Sequence, residues 1–211
     1  MSTNPSSDSR KRFLLIRTDR VGDTILTFPA VTALRNNYPE AFISFLAQPY
    51  TVPLFEQYTG IDLLLSYEPE GRHRGWKGVM KLSHQLRELN FDAAILFYPR
   101  PELAFALLKA KIPIRIGTGY RWYSFLLNRR IYEHRKDCRK HESEYNLSLL
   151  ESLIPDKIPP PFYEFKQWTP EPWWDDFKTE LKSKDYVILH SGCGASAPNL
   201  NEEQYKLIIR L

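Results

Sequence analysis

The segment from Phe13 to Ala30, FLLIRTDRVGDTILTFPA, constrains the fold more than any other part of the sequence. Its first four residues form a short apolar run, which is typical of a strand buried on both faces. A polar turn follows, in which Gly22 can take backbone angles that other residues avoid. Thr24 can then cap a helix with apolar residues at every third position, in which Pro29 predicts a kink. The segment therefore predicts a strand, a tight loop and a helix, with Asp23 where the loop meets the helix.

The same alternation of strand and helix continues along the chain. It is typical of an α/β protein with a doubly wound parallel sheet. From residue 119 the pattern loosens, and His141 begins a helix whose N-terminus it is expected to serve. After the first strand, the predicted strands are 41–47, 61–67, 91–98, 113–117, 131–132 and 186–190. The predicted helical segments are 50–58, 76–89, 102–110, 122–127, 141–153, 175–181 and one from 201.

Prolines divide the chain into two parts. Six of them fall between residues 154 and 173, a stretch that cannot continue a helix or a central strand. We therefore expect a disordered tail at 1–12, a Rossmann-like domain at 13–153, a Pro-rich linker at 154–173 and the start of a second domain at 174–211. One strand and two helices cannot bury a core by themselves, so the second domain is expected to be incomplete.

Charge and cysteine content exclude several classes of protein. Lys and Arg exceed Asp and Glu by 29 to 25, an excess that fits an anionic substrate or a membrane surface but is too small to indicate nucleic acid. Cys138 and Cys193 have no metal-ligand spacing and indicate a reducing compartment rather than a disulfide framework. Since no apolar run is long enough to cross a bilayer, we expect a cytoplasmic protein with peripheral membrane contact at most. No cluster of metal ligands is visible in the sequence, and we expect no cofactor or metal.

Further motifs follow the opening segment in a distinctive order. They are Ala33-Leu-Arg35 with Tyr38-Pro39, then Arg115-Ile-Gly117, Ser124-Phe-Leu-Leu-Asn-Arg-Arg130 and His141-Glu-Ser-Glu-Tyr-Asn-Leu147. Together with the opening segment they resemble the bacterial lipopolysaccharide heptosyltransferases, glycosyltransferase family 9, over nearly the whole chain from residue 13. The resemblance implies a two-domain, GT-B-like architecture, with the sugar acceptor on the first domain and the nucleotide sugar mainly on the second.

The resemblance also implies a reaction in lipopolysaccharide biosynthesis. A heptose would pass from ADP-heptose to a hydroxyl of the lipopolysaccharide inner core, with inversion, at the inner face of the inner membrane. Asp23 matches the family's catalytic base, although a carboxylate at a helix N-terminus can also serve only the helix dipole. The other charged residues of that loop, Asp19 and Arg20, are expected to be solvated.

Candidate acceptor-binding residues lie in loops that follow the predicted strands. The inner-core acceptor carries carboxylates and phosphates, which arginine can clamp bidentately. Arg72 and Arg74 resemble the family's basic acceptor-binding loop, although a charged loop beside glycines is often only solvated, and His73 between them is expected to be a bystander. The remaining candidates are Thr18, Gly22 and Arg100.

Ser191, Gly192 and Gly194 are the candidate nucleotide-sugar residues. They lie in a segment that resembles the first strand and glycine loop of the family's nucleotide domain, where backbone N–H groups could approach a phosphate. The family places a basic residue shortly afterwards, but the corresponding stretch here is Pro198-Asn-Leu-Asn201, so the chain departs from the pattern at this point.

Two other functions fit the sequence. The chain could be a truncated, non-catalytic fragment that binds an acidic glycan or a partner, and the isolated 211 residues are expected to show little or no transfer. A flavodoxin-like receiver with Asp23 as phosphoacceptor is the second alternative. Receivers keep an acidic cluster and a later lysine at strand ends, and neither can be assigned in this sequence.

Overall fold

The computed structural model describes residues 10–56, 58–137, 139–154, 160–163, 166, 172–182, 189 and 200–209. The predicted nucleotide-sugar residues Ser191, Gly192 and Gly194 lie outside these ranges, as do both cysteines and most of the predicted tail and linker. The chain divides into two compact units, Met1–Trp168 and Thr169–Leu211.

The first unit is built on a parallel sheet in the strand order β3-β2-β1-β4-β5-β6. The chain runs outward from the central β1 to β3, returns to β4 and then runs to the other edge. This is the Rossmann order, and it confirms the predicted doubly wound sheet. A flavodoxin-like receiver has the strand order 2-1-3-4-5, so the receiver alternative is wrong. The strands are β1 (Arg12–Ile16), β2 (Phe42–Ala47), β3 (Leu63–Ser66), β4 (Ala93–Leu96), β5 (Ile114–Thr118) and β6 (Arg129–Ile131).

Helices cover both faces of this sheet, because successive residues of each buried strand point to opposite faces. The helices of the first unit are α1 (Val21–Ile25), α2 (Phe28–Asn37), α3 (Pro53–Glu56), α4 (Gly75–Glu88), α5 (Pro101–Lys109) and α6 (Glu142–Ser148). Phe13 and Leu15 of β1 pack in one core with α2 and α6, while Leu14 and Ile16 pack in the other with α4 and α5.

The second unit is described only through two helices. These are α7 (Pro172–Lys182), which begins inside the predicted linker, and α8 (Glu202–Ile209). None of the helices that the structure describes combines the length and the apolar character that crossing a bilayer requires.

The predicted opening helix is two helices rather than one. Pro29 is the second residue of α2, where a missing N–H costs little, so the predicted kink is instead a break after α1. Thr24 is not a cap, because it lies inside α1 and its hydroxyl donates to the carbonyl of Arg20. Gly22 also lies inside α1 without a positive φ, so the special backbone conformation expected of it is wrong.

The predicted role of His141 is confirmed. Its ring Nδ1 accepts from the N–H of Ser143, and the Glu144 carboxylate accepts from the N–H of His141, which together form a capping box at the start of α6. The helix ends at Ser148, earlier than predicted, and the chain continues in hydrogen-bonded turns to Ile154.

Gly78 allows the loop after β3 to pack against α4. A Cβ at this position would lie 2.2 Å from the carbonyl carbon of His73. We therefore expect Gly78→Ala to lower the free energy of unfolding by about 3 kcal/mol, because the backbone must shift to relieve the overlap. Gly22→Ala is the matched control: this glycine is also helical, and nothing lies within 4 Å of the position that a Cβ would take there. Urea denaturation should show a neutral or slightly stabilising effect for the control, and equal losses in both variants would contradict the prediction.

Candidate functional site

The candidate site lies where the strand order reverses, between β1 and β4. Ligands of open α/β sheets bind in the crevice outside the carboxyl ends of the strands at such a point. Arg17 and Asp19 follow β1 directly, and Tyr98 and Arg100 follow β4. The crevice is therefore lined by charged and aromatic side chains from two adjacent strands.

Arg17 is a buried guanidinium that holds three carboxylates. Its Nε and Nη2 donate to the two oxygens of Asp19 at 2.6 and 2.9 Å, the bidentate geometry that a guanidinium favours. Nη2 also lies 3.2 Å from Oδ1 of Asp23, and Nη1 lies 3.5 Å from Oε1 of Glu142. Because Glu142 begins α6, this one side chain links the start of the domain to a helix more than a hundred residues later.

Asn146 and Arg135 complete this network on the α6 side. The fully buried Asn146 accepts from Arg17 at 3.4 Å and from Arg135 at 3.3 Å, and its amide donates to the carbonyl of Leu26 at 2.9 Å. Arg135 also forms an ion pair with Glu142. Since Leu26 is the C-cap residue of α1, these contacts fix the helix that carries Asp23.

The three carboxylates around Arg17 differ in their access to solvent. Asp19 is only 12% exposed, so the expectation that it is solvated is wrong. Burial raises the pKa of Asp19 above its ordinary value, although the charge of Arg17 and its hydrogen bonds oppose this shift. Glu142 is 28% exposed and Asp23 is 33% exposed. Asp23, in the first turn of α1, is thus the most accessible acid of the cluster.

A cavity of about 480 Å³ opens beside this cluster. Arg17 and Asp19 lie in its wall, but Asp23 is not among its lining residues. The rest of the wall combines aromatic, aliphatic and basic side chains with one further acid, Glu133. The Tyr120 hydroxyl lies 2.9 Å from Nε2 of His134. Sequence reasoning missed Tyr120, Arg121, His134 and Arg135, because they come from the stretch where the strand and helix pattern loosens. It also missed Tyr98, at the end of a predicted strand, and Tyr145, in a predicted helix, because neither position signals that it faces a cavity.

The predicted acceptor residues near β1 and β4 have different surroundings. Thr18 is fully buried, and its carbonyl accepts from the Gln48 amide. Gly22 has open space around it on the outer side of α1. Arg100 is partly buried, with its guanidinium 5.2 Å from the ring centre of Tyr98, so it borders the cavity wall.

Arg72 and Arg74 lie farther from Asp23. They follow the edge strand β3, which is two strand spacings, roughly 10 Å, from β1. Arg72 pairs with Glu68 at 2.8 Å on the surface, and Arg74 is exposed just before α4. Between them, His73 is buried and accepts from the Glu68 N–H through Nδ1, and this burial lowers its pKa. The structure does not bring these two arginines into the Arg17 cluster.

The order of the sheet and a charged site at its switch point define a Rossmann-like α/β domain. A protein of Haemophilus influenzae named as a candidate glycosyltransferase is 27% identical over 209 residues, which cover 95% of this chain and 60% of that protein. Lipopolysaccharide heptosyltransferase 3 of Escherichia coli is 30% identical over 137 residues, 63% of this chain and 39% of that protein. No protein-family model matches the chain.

The fold agrees with these relatives. The crystal structure of a glycosyltransferase of family 9 from Veillonella parvula superposes with a TM-score of 0.70 over 94% of this chain and 58% of that protein, at 19% identity. The chain is therefore related by sequence to glycosyltransferases, including lipopolysaccharide heptosyltransferases, and has the fold of glycosyltransferase family 9. It spans about 60% of the length of the first relative and less of the second.

Proposed function

We propose that this chain is the acceptor-side part of an inverting glycosyltransferase that moves heptose from ADP-heptose to the lipopolysaccharide inner core. The observation that carries the proposal is Asp23, an accessible carboxylate at the switch point of the sheet, in the segment that resembles the family's catalytic motif. The relatives named as glycosyltransferase and heptosyltransferase support the class of reaction.

In the proposed mechanism Asp23 is the general base. It accepts the proton of the acceptor hydroxyl while that oxygen attacks the anomeric carbon in line with the departing ADP, so the configuration inverts. Arg17 holds the carboxylate from one side, but its charge is shared with Asp19 and Glu142. Arg17 therefore orients the Asp23 carboxylate, while the main partner of its guanidinium is Asp19.

The cavity beside the cluster is the proposed acceptor subsite. Its volume of about 480 Å³ falls within the range of small-molecule sites. Arg121 and Arg135 in its wall, with Arg100 at its border, can meet the carboxylates and phosphates of an inner-core sugar, while Tyr98 and Tyr120 can pack on sugar rings. Arg72 and Arg74 would contact only a larger acceptor that extends towards β3, and Thr18 would act through its backbone.

ADP-heptose would bind mainly to the second unit. Ser191, Gly192 and Gly194 stay the candidates for its diphosphate, on the resemblance of their segment to the nucleotide domain of the family.

A transfer assay on the full-length gene product tests the proposal. With ADP-heptose and lipopolysaccharide that lacks its heptoses, mass spectrometry should show one added heptose, and NMR should show the inverted anomeric configuration. An acceptor that already carries the heptose is the control and should gain none. Binding of the acceptor without transfer from any nucleotide sugar would favour the non-catalytic glycan-binding alternative, and transfer with retention would contradict the mechanism.

A further inference from the structure

The helix that carries the proposed base is only five residues long. Its turns are closed by backbone hydrogen bonds such as the one from Leu26 to the carbonyl of Gly22 at 3.0 Å. An isolated helix shorter than about 12 residues is marginal in water, so α1 depends on contacts with the rest of the protein. The position of Asp23 must therefore be set by side chains that reach α1 from other parts of the fold.

Asn146 of α6 reaches the end of α1 through the nitrogen of its side chain. This Nδ2 donates to the carbonyl of Leu26 at 2.9 Å and lies 3.5 Å from the hydroxyl of Thr27. The Thr27 hydroxyl in turn donates to the carbonyl of Asp23 at 3.0 Å. Asn146 and Thr27 are both fully buried, so solvent does not compete for these contacts. The backbone of Asp23 is thus tied to α6 through two buried polar side chains.

The oxygen of the same side chain faces two guanidinium groups. Oδ1 of Asn146 accepts from Nη1 of Arg17 at 3.4 Å and from Nη2 of Arg135 at 3.3 Å. Nη2 of Arg17 lies 3.2 Å from Oδ1 of Asp23, so Asn146 reaches this residue by a second route, through its carboxylate. A carboxamide suits both ends of the site, because it accepts through oxygen and donates through nitrogen without adding a charge. An aspartate in its place would lack the donor.

We propose that Asn146 is a positioning residue for Asp23, which it holds by both the backbone and the carboxylate. The proposal rests on the proposed function, in which Asp23 takes the proton of the acceptor hydroxyl. Asn146 is fully buried and is not among the residues that line the cavity, so it acts on the rate of transfer rather than on binding of the acceptor. A displacement of about 1 Å at a reacting group can cost about 10²-fold in rate.

Hydrogen exchange of the full-length protein tests the hold on α1 without any substrate. Asn146→Ala should speed exchange of the amides of α1 about tenfold, because the helix loses a buried anchor and opens more often. Thr32→Val is the matched control, since Thr32 is a buried residue of α2 whose hydroxyl bonds to Tyr58 rather than to α6. This control should leave exchange in α1 within about twofold of the unchanged protein.

Transfer kinetics test the effect on the reaction. Asn146→Ala should lower kcat about 10²-fold, while KM for the acceptor stays within about threefold. In a protein that already carries Asp23→Asn, the same change should alter the rate by less than about twofold, because residues that act as a unit are not additive. Thr32→Val should leave kcat unchanged.

Thr27→Val keeps the test open if circular dichroism shows that Asn146→Ala does not fold. It retains the shape of the side chain but removes the hydroxyl that reaches Asp23, and should lower kcat about tenfold. Unchanged exchange in α1, a loss of rate that persists beside Asp23→Asn, or a higher KM at constant kcat would each overturn the proposal. If the unchanged protein transfers no heptose, the proposed function fails, and faster exchange in α1 would still support the hold of Asn146 on Asp23.

Discussion

Replacing Arg17 with methionine is expected to lower the free energy of unfolding by about 3 kcal/mol, the lower end of the range for breaking a buried ion pair. Arg17 is 4% exposed and is the shared partner of Asp19, Asp23 and Glu142. Without it, three carboxylates face one another, and the nearly buried Asp19 loses the guanidinium that bonds both of its oxygens. We expect the lower end of the range because Glu142 keeps Arg135 as a partner and Asp23 is partly solvated.

Chemical denaturation measures this loss, and Arg72→Met is the matched control. The Arg72→Met variant also loses a guanidinium, but Arg72 pairs with Glu68 on the surface, where an ion pair contributes about 0 to 1 kcal/mol. The double variant Arg17→Met with Asp19→Asn should be less destabilised than the sum of the two single variants, because the uncompensated charge is gone. A loss below about 1 kcal/mol for Arg17→Met would show that the cluster is solvated and does not depend on the guanidinium.

Asp23→Asn is expected to lower the rate of heptose transfer by about 10² to 10⁴-fold, the range for removal of a general base. Asparagine keeps the size of the side chain and can still accept a hydrogen bond from Arg17, but it cannot take the proton of the acceptor. The loss should appear in kcat with saturating acceptor, since binding groups in the cavity wall are unchanged. Stability should change by no more than about 1 kcal/mol, the contribution of an acid to a helix dipole.

Glu102→Gln separates the two roles considered for Asp23. Glu102 is an exposed acid in the first turn of α5, at the same edge of the sheet. Both substitutions remove an acid from a helix N-terminus, so a dipole effect alone would make the variants alike. Only Asp23→Asn should lose transfer, and an enzyme that retains its rate within about threefold after this change would contradict the assignment of the base.

The strands were the most predictable part of the fold. Strands buried on both faces are continuous apolar runs, and the predictions for β1, β2 and β5 agree with the structure to within one residue at every end. The opening helix was predicted less well, because a proline tolerated at the second position of a helix looks the same in sequence as one that kinks it.

The candidate site was only partly predictable. Asp23 could be found because a motif and a strand end coincide there, but Arg17 gives no signal of its burial, being a single arginine in a polar loop. The wall of the cavity comes from residues 17 and 19 and from within 96–99, 118–121, 131–135 and 145–149, and no local pattern connects these stretches.

The sequence by itself determined the order of strands and helices and put Asp23 at the carboxyl end of the first strand, since local periodicity and turn residues act over a few positions. Only the tertiary structure decided which charges meet. Arg17 and Glu142 are 125 residues apart and come together because α6 packs on the same face of the sheet as α2. Contacts over such separations are set by the packing of apolar faces. The apolar pattern of a helix indicates which of its faces is buried, but it does not indicate which polar groups meet at its ends.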